Sequence, residues 1–201
     1  MPVFHGLGWL APVYDRMTRG LEERWLSGWR RRAFEAVPST GTGLEIGAGT
    51  GTNFRLHPPD AFVVATDLSG RMIAEAGSKR GPAGPELVVC DAMALPFRDA
   101  AFDWVLETLV FCEVPDPIAG LREVRRVLKP GGRVVMLEHV RPGGWRGRVA
   151  DLLTLLTSPL WGEHFDRDPI ASARSAGLEV ESVVPLRTDA VLLLTLVRPK
   201  A

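Results

Sequence analysis

Apolar and polar positions along this chain follow two different rhythms, and the change falls near residue 43. Ahead of it, Trp9, Trp25 and Trp29 are interleaved with Arg16, Arg19, Arg24, Arg30, Arg31 and Arg32 in a stretch that reads as helix as far as about Val37-Pro38. That pattern predicts an amphipathic helix packed on the rest of the domain. A helix that covers a substrate or touches a membrane surface is the other reading. From Gly43 onward, short apolar runs alternate with helix-like or turn-rich segments. The strands expected are 43–48 (GLEIGA), 61–66 (AFVVAT), 86–90 (ELVVC), 102–107 (FDWVLE), 133–138 (RVVMLE), 178–184 (LEVESVV) and 190–197 (AVLLLTLV). Runs with so few polar positions suit strands covered on both faces, so the chain reads as an open α/β sheet flanked by helices.

Two intervening helices carry their own start signals. Ser69 stands as N-cap of SGRMIAEAGSK, and Asp116 opens DPIAGLREVRRVLK, which should run to the Pro130-Gly131 stop. The last two strands are joined only by PLRTD, too few residues for a parallel crossover, which needs a dozen or more. They should pair antiparallel, so a mostly parallel sheet should end in a hairpin.

Composition narrows the picture. The 201 residues fit one domain, 1–201, with 1–42 as a helical segment covering the site. The 24 basic and 24 acidic side chains cancel, which removes the field expected of a nucleic-acid binder. Two cysteines, Cys90 and Cys112, and an N-terminus without a secretory pattern favour the cytoplasm. No apolar stretch reaches the roughly 20 residues of a bilayer span, which leaves peripheral membrane contact as the only lipid association expected. His5, His57, His164 and the cysteines show no metal-ligand spacing, so no metal site is expected.

The chemistry concentrates at LEIGAGTGTNF, residues 44–54. Glycines after a strand let backbone N–H groups approach a ligand. A dinucleotide fingerprint would require Gly or Ala at position 52, where Thr52 stands, and Glu45 would repel a pyrophosphate. Glu45 would instead accept from an ammonium group. Asp67 closes the second strand at the spacing from which a carboxylate takes bonds from two ribose hydroxyls, and Asp91 followed by Ala92 closes the third, placed for the amine of a purine. Ribose, purine and ammonium together describe S-adenosyl-L-methionine.

On those residues the chain resembles the class I S-adenosylmethionine-dependent methyltransferases. LEIGAGTG, VVATDLSGRMI, CDAMALPF, FDWVLETLVFCEV and LKPGGRVVMLEHV are similar to successive motifs of that family. The resemblance implies a Rossmann-like, doubly wound seven-stranded sheet and a transferase. It also implies cofactor contacts at Tyr14, Glu45, Gly47, Ala48, Gly49, Asp67, Leu68, Met72, Asp91, Ala92 and Thr108. Tyr14 and Asp15 resemble a Tyr-Asp pair of the ubiquinone and menaquinone C-methyltransferases that precedes a helix closing over the cofactor. The later stretch from LEHVRPGG to SARSAGLEV is closer to phospholipid N-methyltransferases and to the thiol-directed methyltransferase-like 7 group.

The methyl acceptor is therefore expected to be a small lipophilic molecule: a quinone precursor, an aminophospholipid or a thiol. His139 and Glu107, at the ends of the fifth and fourth strands, are the candidate bases. The apolar stretch 148–161 reads either as a cover over the acceptor or as a plain packing helix, with 162–169 as a loop at the rim of the acceptor site. Two rival readings stand beside this one. The first is a module that binds the cofactor, a membrane or a partner without catalysis, and the second is a nicotinamide-dependent oxidoreductase.

Overall fold

A computed structural model describes residues 10–141, 143–145, 147–148, 167–186 and 190–200. Seven strands form one sheet: β1 (Thr40–Ile46), β2 (Asp60–Asp67), β3 (Glu86–Val89), β4 (Phe102–Thr108), β5 (Leu128–His139), β6 (Glu179–Pro185) and β7 (Val191–Val197). Their order is β3-β2-β1-β4-β5-β7-β6. β1 pairs parallel with both β2 and β4, while β7 runs antiparallel between β5 and β6. The expected antiparallel pair is present, and β6 is left at the edge.

Each face of the sheet is covered because the strands are apolar on both sides. One face carries Leu44, Ile46, Val105, Val134, Met136 and Leu194 against Leu121 and Val124 of α4 (Pro117–Val127) and Ala173 of α5 (Pro169–Ser175). The other carries Val63, Trp104, Leu106, Val135, Leu137 and Leu193 against Ala33 and Phe34 of α2 (Ser27–Glu35). Trp104 is fully buried and its ring packs against β1, where a Cβ on Gly43 would stand 2.1 Å from it. Only glycine allows so close an approach.

Helix starts follow the cap signals. Ser69 Oγ accepts from the Met72 amide at 3.3 Å to open α3 (Gly70–Lys79). Asp116 accepts from Ala119 at 3.0 Å ahead of α4, and Asp168 from Ala171 at 3.0 Å ahead of α5. α4 does not run to Pro130-Gly131 as expected. It ends at Val127, because the Arg126 and Val127 carbonyls accept from the Ala100 and Ala101 amides, and Leu128 already pairs with Phe102 at the start of β5.

The Trp/Arg segment is helical from Ala11 to Glu35 but not uniformly so: α1 (Ala11–Leu21) joins α2 through a π-helical turn at Glu22–Leu26. A π turn inserts a residue and rotates the helix beyond it. Among the described residues no helix is long and apolar enough to cross a membrane. Trp9 and the stretch 149–166, with the expected acceptor cover and most of the rim loop, lie outside the described residues.

Candidate functional site

After β1 the chain turns on Gly47, Gly49 and Gly51, with φ of 68°, 55° and 80°. The Ala48 amide donates to Thr66 O at 2.8 Å, which pins the turn to the end of β2. A Cβ at Gly47 would lie 2.2 Å from Val110, so the loop after β4 closes on that residue. A Cβ at Gly49 would meet nothing within 4 Å. Gly49 therefore combines a left-handed backbone with a face open to a crevice, the geometry of a backbone cradle.

Around that cradle the expected acidic residues come together at neighbouring strand ends. Asp67 accepts from the Gly49 amide at 2.9 Å and from the Ser69 amide at 2.8 Å. Burial raises its carboxyl above the ordinary value, against those two amides, and the charge of Glu45 pushes the same way as burial. Asp91 accepts from Met93 N at 2.8 Å and is half-buried, as is Ala92. Met72 is buried beneath the β2 end, whereas Leu68 is 49% exposed.

Glu45, expected to accept from an ammonium group, already has two partners within the protein. It is buried, with Oε1 accepting from Asn53 Nδ2 and Oε2 bonded to His57 Nε2, each at 2.7 Å. Its two oxygens thereby brace the glycine loop. Asn53 and His57, which no spacing rule singled out, supply that brace, and His57 is seated between Phe34 and Phe54. Asn53 Nδ2 also reaches Thr108 Oγ1 at 3.2 Å, and Arg30 of α2 donates from Nη1 to the same hydroxyl at 2.6 Å. Thr108 thus links the end of β4 to both the loop and the N-terminal helices.

The helical segment is fastened to the glycine loop by Asp15, next to Tyr14. Asp15 accepts from Thr50 Oγ1 and from Lys79 Nζ, and Lys79 also donates to the Thr50 carbonyl at 2.8 Å. These bonds hold the Asp15 carboxyl below its usual value despite partial burial. Tyr14 is half-buried on the same turn of α1.

Of the two candidate bases, Glu107 is fully enclosed. It lies beside Glu138 across β4 and β5, and both accept from the Val110 amide, at 3.1 and 2.9 Å, while Glu107 Oε1 is buried with no hydrogen-bond partner among the described residues. Glu138 also accepts from Phe111 N at 2.5 Å. Burial pushes both carboxyls up, and Glu107 strongly so because the charge of Glu138 adds to its burial, whereas the backbone amides of residues 110–112 pull Glu138 the other way. This pair holds the 110–111 loop, and no side of Glu107 is open to an acceptor. Glu107 is therefore better assigned to positioning than to proton transfer.

His139 differs. It hydrogen-bonds the Ala190 backbone, and burial lowers its pKa, so the ring is neutral near pH 7. With Phe111, Cys112, Met136, Glu138 and Arg167 it lines a small, mainly apolar pocket at the β5 end. Arg167 roofs that pocket by donating to the Phe111 and Val114 carbonyls. Among the described residues no three His, Cys, Asp or Glu side chains are grouped to hold a metal.

Comparison with known proteins places these residues in context. Residues 44–136 match the family model described as a methyltransferase domain. A demethylmenaquinone methyltransferase of Thermus thermophilus is 36% identical over 140 residues, covering 66% of this chain and 64% of that protein. A ubiquinone/menaquinone biosynthesis C-methyltransferase of Desulfotalea psychrophila is 37% identical over 140 residues, covering 66% and 56%. The chain thus spans less than two thirds of either relative's length. An S-adenosylmethionine-dependent methyltransferase from Thermotoga maritima superposes with a TM-score of 0.74 at 22% identity, over 98% of this chain and 100% of the other, which shows the same fold.

Proposed function

We propose that residues 44–136, which match a methyltransferase-domain model, carry a class I, S-adenosylmethionine-dependent methyltransferase domain, and that the protein methylates a small lipophilic acceptor, a ring carbon of a quinone precursor before the other candidates. The observation that carries the methyl-transfer reading is the ordered set at the strand ends: the open Gly49 cradle at β1, Asp67 at β2 and Asp91 at β3. The quinone preference rests on the two bacterial relatives. An aminophospholipid or a thiol acceptor is the alternative within the same reaction class.

The residues present fit the cofactor. Backbone at Gly47–Gly49 would lie along its amino-acid part, Asp67 would accept from its ribose hydroxyls, and Asp91 with Ala92, Met72 and Leu68 would bound its adenine. When bound, it supplies an electrophilic methyl group on a sulfonium. The acceptor must present a nucleophilic atom in line with that methyl, so positioning accounts for much of the rate. His139, neutral near pH 7 and set in the β5-end pocket, would take the phenolic proton of a quinol, which makes the neighbouring ring carbon nucleophilic. Residues 10–42 belong to the same working unit in this reading, with α1 fastened across the glycine loop by Asp15.

The test is a calorimetric titration with S-adenosylmethionine and its demethylated product, combined with label tracing into quinone, phospholipid and thiol pools by mass spectrometry. Micromolar binding that is lost in Gly49→Arg, with label in a quinone precursor, is expected. Absence of heat with either ligand would remove the methyltransferase reading. Label only in phospholipid or thiol would replace the quinone with that acceptor.

A further inference from the structure

Arg30 is a cation in an unusual place. It lies four residues after the buried Leu26 and three and four before the buried Ala33 and Phe34, so it sits on the inward stripe of α2. Its side chain is only 14% exposed. Nε donates to Glu22 at 3.3 Å, and Nη1 donates to Thr108 Oγ1 at 2.6 Å and to Asn53 Oδ1 at 3.2 Å. Those contacts fix the guanidinium over the exits of β1 and β4, where Ile46 pairs with Glu107 and the loop after Thr108 meets Gly47. Nη2 has no acceptor among the described residues.

If the cofactor binds as proposed, the nucleoside occupies the β2 and β3 ends beside Asp67 and Asp91, and the amino-acid tail must extend the other way along the strand ends. β4 lies two strand spacings from β2, roughly 10 Å. A tail that leaves the ribose at Asp67 and crosses Gly49 ends beneath Arg30. That tail carries one anion, its carboxylate. Lys79, another cation at the loop, is taken by Asp15 and the Thr50 carbonyl. We propose that Arg30 is the residue that binds the cofactor's carboxylate, through Nη2, with Thr108 and Asn53 holding the guanidinium in place. A planar guanidinium held on its other nitrogens is pre-organised for a carboxylate.

An experiment that separates this role from a structural one compares two nucleosides. S-adenosylhomocysteine carries the carboxylate, whereas 5′-methylthioadenosine has the same nucleoside and thioether without the amino acid. Titration of Arg30→Gln should show S-adenosylhomocysteine weakened about 10- to 100-fold, the scale of one charge-assisted hydrogen bond, and methylthioadenosine within threefold of wild type. Arg30→Lys, which restores a point charge, should recover part of the loss and guards against a fold defect in the glutamine variant. Equal weakening of both nucleosides, or no change in either, overturns the assignment while leaving the cofactor reading intact. Wild-type protein that binds neither nucleoside overturns both.

Discussion

Replacing Glu138 separates its hydrogen-bonding role from its charge. The carboxylate accepts from the Val110 and Phe111 amides at 2.9 and 2.5 Å inside a site where Glu138 is 2% exposed. In Glu138→Leu those two donors lose their acceptor, at about 1–3 kcal/mol each, for a total cost of roughly 2–6 kcal/mol. For a chain of this length that corresponds to a fall in Tm of about 5–20 °C. Glu138→Gln keeps an acceptor for both amides and a donor for Glu107, and should unfold close to wild type at pH 5. The two variants should then diverge from wild type with pH in a defined direction. Both carboxyls of the pair have folded-state values above their unfolded ones, so their contribution is complete at low pH and is lost as pH rises through the folded values. Wild type should therefore lose stability toward alkaline pH, and Glu138→Gln should lose less. Urea unfolding monitored by circular dichroism from pH 5 to 9 measures this. A leucine variant within 1 kcal/mol of the glutamine variant would show that this carboxylate does not hold the 110–111 loop.

Three further outcomes rest on the same geometry. Asp67→Asn should weaken S-adenosylhomocysteine at least tenfold in calorimetry, and because burial raises the Asp67 carboxyl, wild-type affinity should decline on acidification at a pH above that of an ordinary aspartate; unchanged affinity in the variant excludes ribose recognition by this residue. If His139 is the base, the rate should climb with pH around a midpoint below 6.5, as its lowered pKa requires, and His139→Gln should lose that limb; persistence of the limb assigns it elsewhere. The Asp15–Lys79 pair is partly exposed, 46% and 31%, so Lys79→Met should alter stability by at most about 1 kcal/mol yet speed tryptic cleavage within α1; a larger loss of stability would make α1 part of the permanent core.

The sheet was readable because its strands are apolar on both faces, a signal that survives without knowledge of partners. The cap residues Ser69 and Asp116 announced their helices for a similarly local reason. Features that depend on which strands become neighbours could not be read. Glu107 and Glu138 are 31 positions apart, and only the β4–β5 register makes them a pair, so Glu107 looked like a free base. The brace on Glu45 was equally hidden, because nothing in the order of residues shows Asn53 and His57 folding back onto it. Arg30 left a usable clue: it stands where the helical period demands an apolar side chain, between Leu26 and Ala33, and a charge on a buried stripe asks for a partner. The end of α4 was misjudged by two or three residues because the Ala100 and Ala101 amides, remote in sequence, capture its last carbonyls.

The placement of β7 decides the order in which the sheet can assemble. β5 and β6 are never adjacent, and β7, made after both, joins each of them. During synthesis the half built from β1 to β5 can form as it emerges, but β6 has no partner until residues 191–197 arrive. Until then one side of β5 presents unpaired amides and carbonyls, a template for stray strands. The nascent chain is most prone to misassociate in that interval, and inserting β7 removes the hazard in a single late step.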